Sequence, residues 1–400
     1  MKKCKCSECR CFGLIRTRTW RIWRTSRPIR SGSYVNSGES TTHGIIDICI
    51  YLEYISRLFI MQSQSLNWGI AAAGRITQDF VTALGTIPNS RHAVLAVADV
   101  EGSRAQEFAQ RNQIPRHYDG FEALSLDKEV DVVYVGTLNP FHYAVVRLML
   151  IRGKHVLCET PLCLGLEQAQ ELYKLAEQRG VFLMEGMWSR CFPSYERLRE
   201  LLLGDAIGEV KLVKLQHGFR LANVERLASR ALGGSITLDI GIYALQLGQF
   251  VFGSAPVKII PSGTQLNAER VDVQTEFILD YGDNRRLIAL ITGLENLEND
   301  AIIVGTKGEI KLSNYWCPTQ LTLANHAPES WPLPRAKFDF HYTNSCGLRY
   351  EAEEVRRCIE KRLLESPKYT HADSLEVIAI ADQIRSQIGV NYDNVLGRDA

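Results

Sequence analysis

The sequence predicts an α/β fold: an N-terminal doubly wound parallel sheet of Rossmann type, then a C-terminal α+β domain with a largely antiparallel open sheet. Three observations predict it. From Leu66 to Met184, short apolar strand-like runs alternate with stretches of helical apolar spacing at ~25 to 35 residues per unit, as when crossover helices join parallel strands. The first strand runs into Gly69-Ile70-Ala71-Ala72-Ala73-Gly74-Arg75-Ile76, a glycine-bearing turn that opens a helix. Beyond Glu185, strands are separated by short turns, the pattern of an antiparallel sheet.

The first strand is Trp68 to Ala71, and the next helix carries Ile76, Phe80, Val81 and Leu84 at helical spacing. His92 to Val100 is a second strand and Ser103 to Gln113 its helix. Val130 to Gly136 is apolar almost throughout, as expected of a strand covered on both faces, and Pro140 to Ile151 follows as a helix. His155 to Leu162 reads as the fifth strand, punctuated by Gly153 and Pro161. Later strands are Glu209 to Phe219, Lys258 to Gln265, Val271 to Tyr281, Arg286 to Gly293, Ala301 to Gly305 and Glu309 to Leu312. Turns fall at Asp280-Tyr281-Gly282-Asp283 and Gly305-Thr306-Lys307-Gly308. Helices are expected near Ile236 to Phe252, Tyr350 to Leu363 and Asp373 to Ile388. The chain then divides into a leader over 1–65, a dinucleotide-binding domain over 66–186 and an α+β domain over 187–394.

Chemistry is expected where the parallel strands end, because ligands of open α/β sheets sit beyond the strands' carboxyl ends. Gly69, Ala72 and Gly74 shape the loop, and with Arg75 and Ile76 they open a helix whose free N–H groups favour a pyrophosphate. Asp99 ends the next strand, 25 residues after Gly74. A carboxylate there accepts hydrogen bonds from the ribose of NAD and repels the 2′-phosphate of NADP, so Asp99-Val100 leans to NAD. The plainer role for Asp99 is a helix N-cap. Thr137, Asn139 and His142 follow the fourth strand; Pro140 forces Asn139 extended, and His142 is either a site residue or a packed helix-start group. Glu159 and Thr160 fall beside a bound nicotinamide. Trp188 and Arg190 offer an aromatic face and a fixed cation to a polar ring-shaped ligand, or else pack between the domains. Asp239 and Tyr243 are four apart, hence on one helical face. A tyrosine can pass a proton to or from a substrate hydroxyl if a nearby cation lowers its pKa from ~10.

Composition is that of globular chains: 46% hydrophobic, 23% charged and a formal charge of +1 over 400 residues, with no electrostatic case for a nucleic-acid partner. The charge is unevenly spread. Lys2, Lys3, Lys5, Arg10, Arg16, Arg18, Arg21, Arg24, Arg27 and Arg30 face only Glu8 in the first thirty residues. Such a leader is either a mitochondrial presequence or an extension upstream of Met61, and the second is favoured because the first strand starts so soon afterwards. No apolar run is expected to span a membrane; Ile45 to Ile60 is broken by Asp47, Glu53 and Arg57. Cys4, Cys6, Cys9 and Cys11 are too closely spaced for an ordinary zinc ribbon, so no metal site is assigned. The scattered body cysteines suit a reducing, intracellular and cytoplasmic setting.

The chain resembles the glucose-fructose oxidoreductase / inositol dehydrogenase family, in its branch of dimeric dihydrodiol dehydrogenases. The resemblance spans about Leu66 to Asn394. It rests on the glycine loop, on Thr137-Leu138-Asn139-Pro140-x-His142, and above all on the run from Met184 to Pro193, which resembles Met-Glu-x-x-Trp-x-Arg-x-x-Pro. Gly233-Gly234-x-x-x-Leu238-Asp239-x-Gly241-x-Tyr243 matches the family's active-site helix, and Trp316-Cys317-Pro318-Thr319 and Tyr350-Glu351-Ala352 match further on. It implies an NAD(P)-dependent dehydrogenase of a vicinal diol or of an aldose such as D-xylose. Its branch leans to NADP and to a homodimer joined through the C-terminal sheet. Tyr243, oriented by Asp239, would take the hydroxyl proton as hydride leaves for the nicotinamide. Two positions depart from the pattern: Ala72 replaces a glycine, and Thr160 replaces the lysine of Glu-Lys-Pro. A threonine supplies no charge, and loss of such a group costs ~10² to 10⁴ in rate. The alternative is a catalytically impaired, cofactor-binding member that serves as a sensor or binding partner.

Overall fold

A computed structural model describes residues 65–88, 91–390 and 392. The expectations for the leader, including its cysteines, its arginines and Ile45 to Ile60, lie outside the described residues. The first sheet is wholly parallel, in the order β3-β2-β1-β4-β5-β6. Its strands are β1 (Leu66–Ala71), β2 (His92–Asp99), β3 (Arg116–Asp119), β4 (Val132–Val135), β5 (His155–Cys158) and β6 (Leu183–Glu185). Its helices are α1 (Arg75–Leu84), α2 (Gly102–Asn112), α3 (Phe121–Ser125), α4 (His142–Ile151) and α5 (Leu166–Arg179). Strand order reverses between β1 and β4, which opens a crevice at their carboxyl ends. β3, Arg-His-Tyr-Asp, escapes sequence patterning because it is a polar edge strand. β5 stops at Cys158, so Glu159 and Thr160 lie just beyond the sheet.

The second sheet has the order β14-β13-β12-β11-β7-β10-β9-β8. β7 is Val210–Gly218, β8 Lys258–Leu266, β9 Asp272–Asp280, β10 Arg286–Thr292, β11 Ala301–Gly305, β12 Glu309–Ser313, β13 Gln320–Leu323 and β14 Glu329–Ser330. β7 and β10 run parallel, the one departure from antiparallel pairing, because the chain between them crosses over through a helix and a hairpin. Both expected turns form: Tyr281 N–H donates to Arg285 O across one, and Gly305 N–H to Gly308 O across the other. The sequence expectation lacked β13, β14 and α6 (Pro193–Leu203), whose first residue is a helix-starting proline.

One face of this sheet is core and the other open. In β10, Leu287, Ala289 and Ile291 are buried while Arg286 and Ile288 are exposed, the period of a half-covered strand. The covering helix is α8 (Ile242–Phe252), buried from Ile242 to Gln249. Gly248 is required there, since a Cβ would come within 2.5 Å of Tyr281 Oη. Arg230–Phe252 is long and apolar enough to cross a membrane, contrary to the expectation from sequence, but 78% of its most apolar window is buried inside the protein. Before α8 come a short helix α7 (Glu225–Ala228) and a π-helical turn, Thr237–Gly241. α9 (Leu348–Glu360) and α10 (His371–Gln387) follow the sheet, and Thr370 caps α10 in a reciprocal box with Asp373.

Candidate active site

The glycine loop has the geometry of a dinucleotide site with one strained residue. Ala72 sits at φ +84°, a region that disfavours a Cβ by ~1 to 2 kcal/mol. Its N–H donates to Ala98 O at 2.8 Å, and the next N–H, of Ala73, donates to Asp99 Oδ2 at 2.8 Å. Gly74 is the N-cap of α1 and no side chain caps the helix, so its first N–H groups remain for an anion. Thr77 Oγ1 and Thr137 Oγ1, at the start of α1 and the end of β4, are buried without hydrogen-bond partners. These free donors and orphaned hydroxyls fit a dinucleotide. Gly69 plays another part: a Cβ would meet Leu124 and Val130 at 2.9 Å, so it serves packing inside β1. Arg75 is exposed and Ile76 half-buried on α1.

Asp99 is buried, and its Oδ1 accepts from Glu101 N–H at 3.1 Å and lies 3.7 Å from Arg104. It ties the end of β2 to the glycine loop and is not the N-cap of α2, which is Glu101. Beside it opens a cleft of about 300 Å³ lined by Ala73, Arg104, Glu107, Phe108 and Arg111. His142 is corrected as a cofactor ligand. Its Nδ1 faces Pro161 O at 2.7 Å and its Nε2 faces Thr137 O at 3.0 Å, so both nitrogens are turned to backbone carbonyls, to one of which the neutral ring donates. Burial lowers its pKa. The extended residue near Pro140 is Leu138, and a 3₁₀ turn opens at the half-buried Asn139 itself.

The reacting centre forms where β5, β6 and α8 meet. Thr160 Oγ1 lies 3.3 Å from Tyr243 Oη, and Trp188 Nε1–H donates to that phenolic oxygen at 3.2 Å. Burial pushes the Tyr243 hydroxyl well up and Glu159 adds to this, while Thr160 and Trp188 draw it down. With threonine at 160 supplying no charge, the phenol is raised and not lowered. Asp239 pairs instead with Arg226, its Oδ1 accepting at 2.6 Å, from a π-helical turn that precedes α8. Arg226 comes from α7, in an irregular stretch with no pattern to flag it. Arg190 is also corrected. It points into the second domain, donating to Gln246 Oε1 at 2.6 Å and Gln246 O at 2.9 Å, with its guanidinium over Phe250 and Tyr369.

Glu159 accepts from Tyr134 Oη, and burial raises its carboxyl to about 7 against the pull of Tyr134, the Thr160 N–H and Arg226. Close by is Glu351, from the first turn of α9, fully buried with neither oxygen hydrogen-bonded. Burial, then Glu159, pushes it well up, so it is the neutral acid. His217 was also missed. Its ring lies 4.6 Å from Trp316 and 6.1 Å from Tyr243, and burial lowers its pKa to about 3. Its polar side chain on an alternating strand was the only signal. Among the described residues, no group of three or more His, Cys, Asp or Glu is placed to hold a metal.

Residues 66–187 match the model described as an oxidoreductase family with an NAD-binding Rossmann fold, and residues 195–311 match the GFO/IDH/MocA C-terminal domain. The chain is 44% identical over 330 residues to trans-1,2-dihydrobenzene-1,2-diol dehydrogenase of Danio rerio, covering 82% of this chain and 98% of that one. In fold it is similar to the aldose-aldose oxidoreductase of Caulobacter crescentus complexed with glycerol, with TM-score 0.70, 21% identity and coverage of 82% and 98%. Levoglucosan dehydrogenase, complexed with NADH and levoglucosan, gives TM-score 0.70, 17% identity and the same coverage. Fold and site together define a Rossmann-type oxidoreductase. The chain belongs to the GFO/IDH/MocA family, in the branch of the dihydrodiol dehydrogenases.

Proposed function

We propose that this protein is a nicotinamide-dependent dehydrogenase of a vicinal diol or an aldose of the D-xylose type. The observation that carries this is the junction of Thr160, Tyr243 and Trp188 at the carboxyl end of a parallel sheet whose glycine loop is fitted for a dinucleotide. The bound nicotinamide supplies a hydride acceptor. The first N–H groups of α1 would hold its pyrophosphate and Asp99 its ribose, with Thr137 and Asn139 just beyond the end of β4. Tyr243 holds a proton against the reacting hydroxyl, and Trp188 fixes the phenolic oxygen.

Asp99 favours NAD, since it would repel a 2′-phosphate and already engages the nearest cation, Arg104. Ile260, Ile278 and Ile288 align across β8, β9 and β10, with Ile260 and Ile288 exposed on the open face. A second copy of the chain there gives a homodimer, to be checked by sedimentation equilibrium. The six body cysteines are buried and unpaired, which suits a cytoplasmic protein; cell fractionation checks it against mitochondria. The primary test is titration of the full chain with NADH and NADPH, then turnover with D-xylose and a cyclic trans-diol. Binding without turnover of either substrate would leave a cofactor-binding sensor instead.

A further inference from the structure

Residues 331–344, between β14 and α9, form neither helix nor strand. Irregular connections longer than ~12 to 15 residues are uncommon in compact domains and usually serve as lids or binding loops. Both ends of this one are tied to the second domain: Trp331 N–H donates to Thr319 O at 2.8 Å, and Asn344 Nδ2 donates to Cys317 O at 2.9 Å. Between these anchors the chain crosses to the dinucleotide-binding domain and grips Asp79 of α1. His341 N–H donates to Asp79 Oδ1 at 2.9 Å and Oδ2 at 3.0 Å, the His341 ring donates through Nδ1 to Oδ1 at 2.8 Å, and Tyr342 N–H donates to Oδ2 at 3.1 Å. Asp79 is fully buried, and among the described residues its carboxylate has no hydrogen-bond partner outside this segment.

The gripped helix is the one whose first N–H groups are left for an anion, and Asp79 lies one turn beyond Arg75 on the same face. Beside the grip, the Tyr342 ring is 43% exposed and stands within reach of the charges of Arg226 and Asp239 on the reacting-centre side and of Arg75 and Asp79 on α1. A dinucleotide with its pyrophosphate at the start of α1 and its nicotinamide beside Thr160 and Tyr243 would run between those two sets of charges. The anchors Cys317 and Thr319 follow Trp316, whose ring lies 4.6 Å from that of His217, so the segment springs from the edge of the reacting centre. We propose that residues 331–344 are a strap that closes over the bound dinucleotide, latched to α1 by Asp79, and that the strap lifts for the cofactor to enter and leave. This rests on the nicotinamide-dependent reading of the site. Lifting exchanges the bonds between Asp79 and the strap for bonds to water on both partners, so the latch holds without locking. Lid opening of this kind sets the rate of cofactor or product release in many enzymes.

The test compares the wild type, Asp79→Asn and Tyr342→Ala in the full chain, with whichever of NADH and NADPH binds more tightly as the probe. Asp79→Asn keeps the shape but loses the charge and one acceptor oxygen; Tyr342→Ala removes an exposed ring and leaves the latch. Cofactor dissociation, followed by fluorescence in stopped flow, should be at least tenfold faster in both variants. Without cofactor, hydrogen exchange of the His341 amide should be at least tenfold faster in Asp79→Asn than in the wild type and unchanged in Tyr342→Ala. Saturating cofactor should slow exchange across residues 331–344 of the wild type at least tenfold. Dissociation at the wild-type rate in both variants, or strap exchange that cofactor leaves unchanged, would overturn the strap while leaving the dinucleotide site standing. If Asp79→Asn does not fold, Tyr342→Ala and the exchange of the wild type decide between the same outcomes. A wild type that binds neither NADH nor NADPH would remove the nicotinamide-dependent reading and the strap together.

Discussion

Restoring lysine at position 160 tests what the site lacks. Thr160 Oγ1 is 3.3 Å from Tyr243 Oη, so an ammonium group on a longer side chain reaches both that phenol and a substrate hydroxyl. A unit charge at ~4 Å in an effective dielectric of ~20 interacts by about 4 kcal/mol. Part of this goes to desolvating the ammonium, since Tyr243 and Trp188 are both buried. A cation beside an acid commonly lowers its pKa by ~1 to 3 units, each worth a factor of ten in ionised fraction. Thr160→Lys should therefore raise kcat for a diol or aldose at least tenfold, and adding Tyr243→Phe should abolish the gain. Steady-state kcat measures it, with NADH fluorescence confirming cofactor binding. The reasoning fails if the wild type already turns over at ~1 to 10³ per second, or if the lysine variant binds cofactor and stays inert.

Three further outcomes follow from the same geometry. Burial raises Glu159 from 4.5 to about 7, so the folded chain holds a proton that the unfolded chain has lost between those pH values; stability falls by about 3 kcal/mol as pH rises through that window and is level above it. Glu159→Gln should flatten that slope and raise the thermal midpoint at pH 8 by several degrees, read by calorimetry. Ala72→Gly relieves ~1 to 2 kcal/mol of positive-φ strain against ~0.5 to 1 of added unfolded-state entropy, so the midpoint should rise slightly and NADH should bind more tightly; a lower midpoint would contradict the strain. Asp99→Ser removes the group that repels a 2′-phosphate, and the ratio of NADPH to NADH dissociation constants should fall at least tenfold; an unchanged ratio would take the ribose away from Asp99.

The parallel sheet was legible because its information is local. A run such as Val132 to Val135 is apolar on both faces, and the glycine loop falls between a strand and a helix. The conformation of Ala72 was not legible, since sequence shows the methyl group but not the φ it must adopt. Arg190 was misplaced for a geometric reason. Trp188–Cys191 is a 3₁₀ turn, in which residues two apart diverge by about 240°, so Trp188 turns to Tyr243 and Arg190 to Gln246. Asp239 lost its supposed partner because an irregular segment delivers Arg226 to it.

The threonine at 160 shows how a local comparison and a folded site differ. Beside the sequence motif it is an absence, a lysine without its charge. In the fold it is one member of a set that includes the carboxyls of Glu159, Asp239 and Glu351 and the guanidinium of Arg226. Asp239 and Arg226 neutralise each other as a hydrogen-bonded pair. Glu351, buried without a hydrogen bond, is neutral because an isolated carboxylate there would cost far more than a retained proton. Burial raises the Glu159 carboxyl to about 7, against the pull of Tyr134, the Thr160 N–H and Arg226. That environment is invisible in the sequence because Glu351, from helix α9, and Tyr134, from strand β4, meet Glu159 only through tertiary packing.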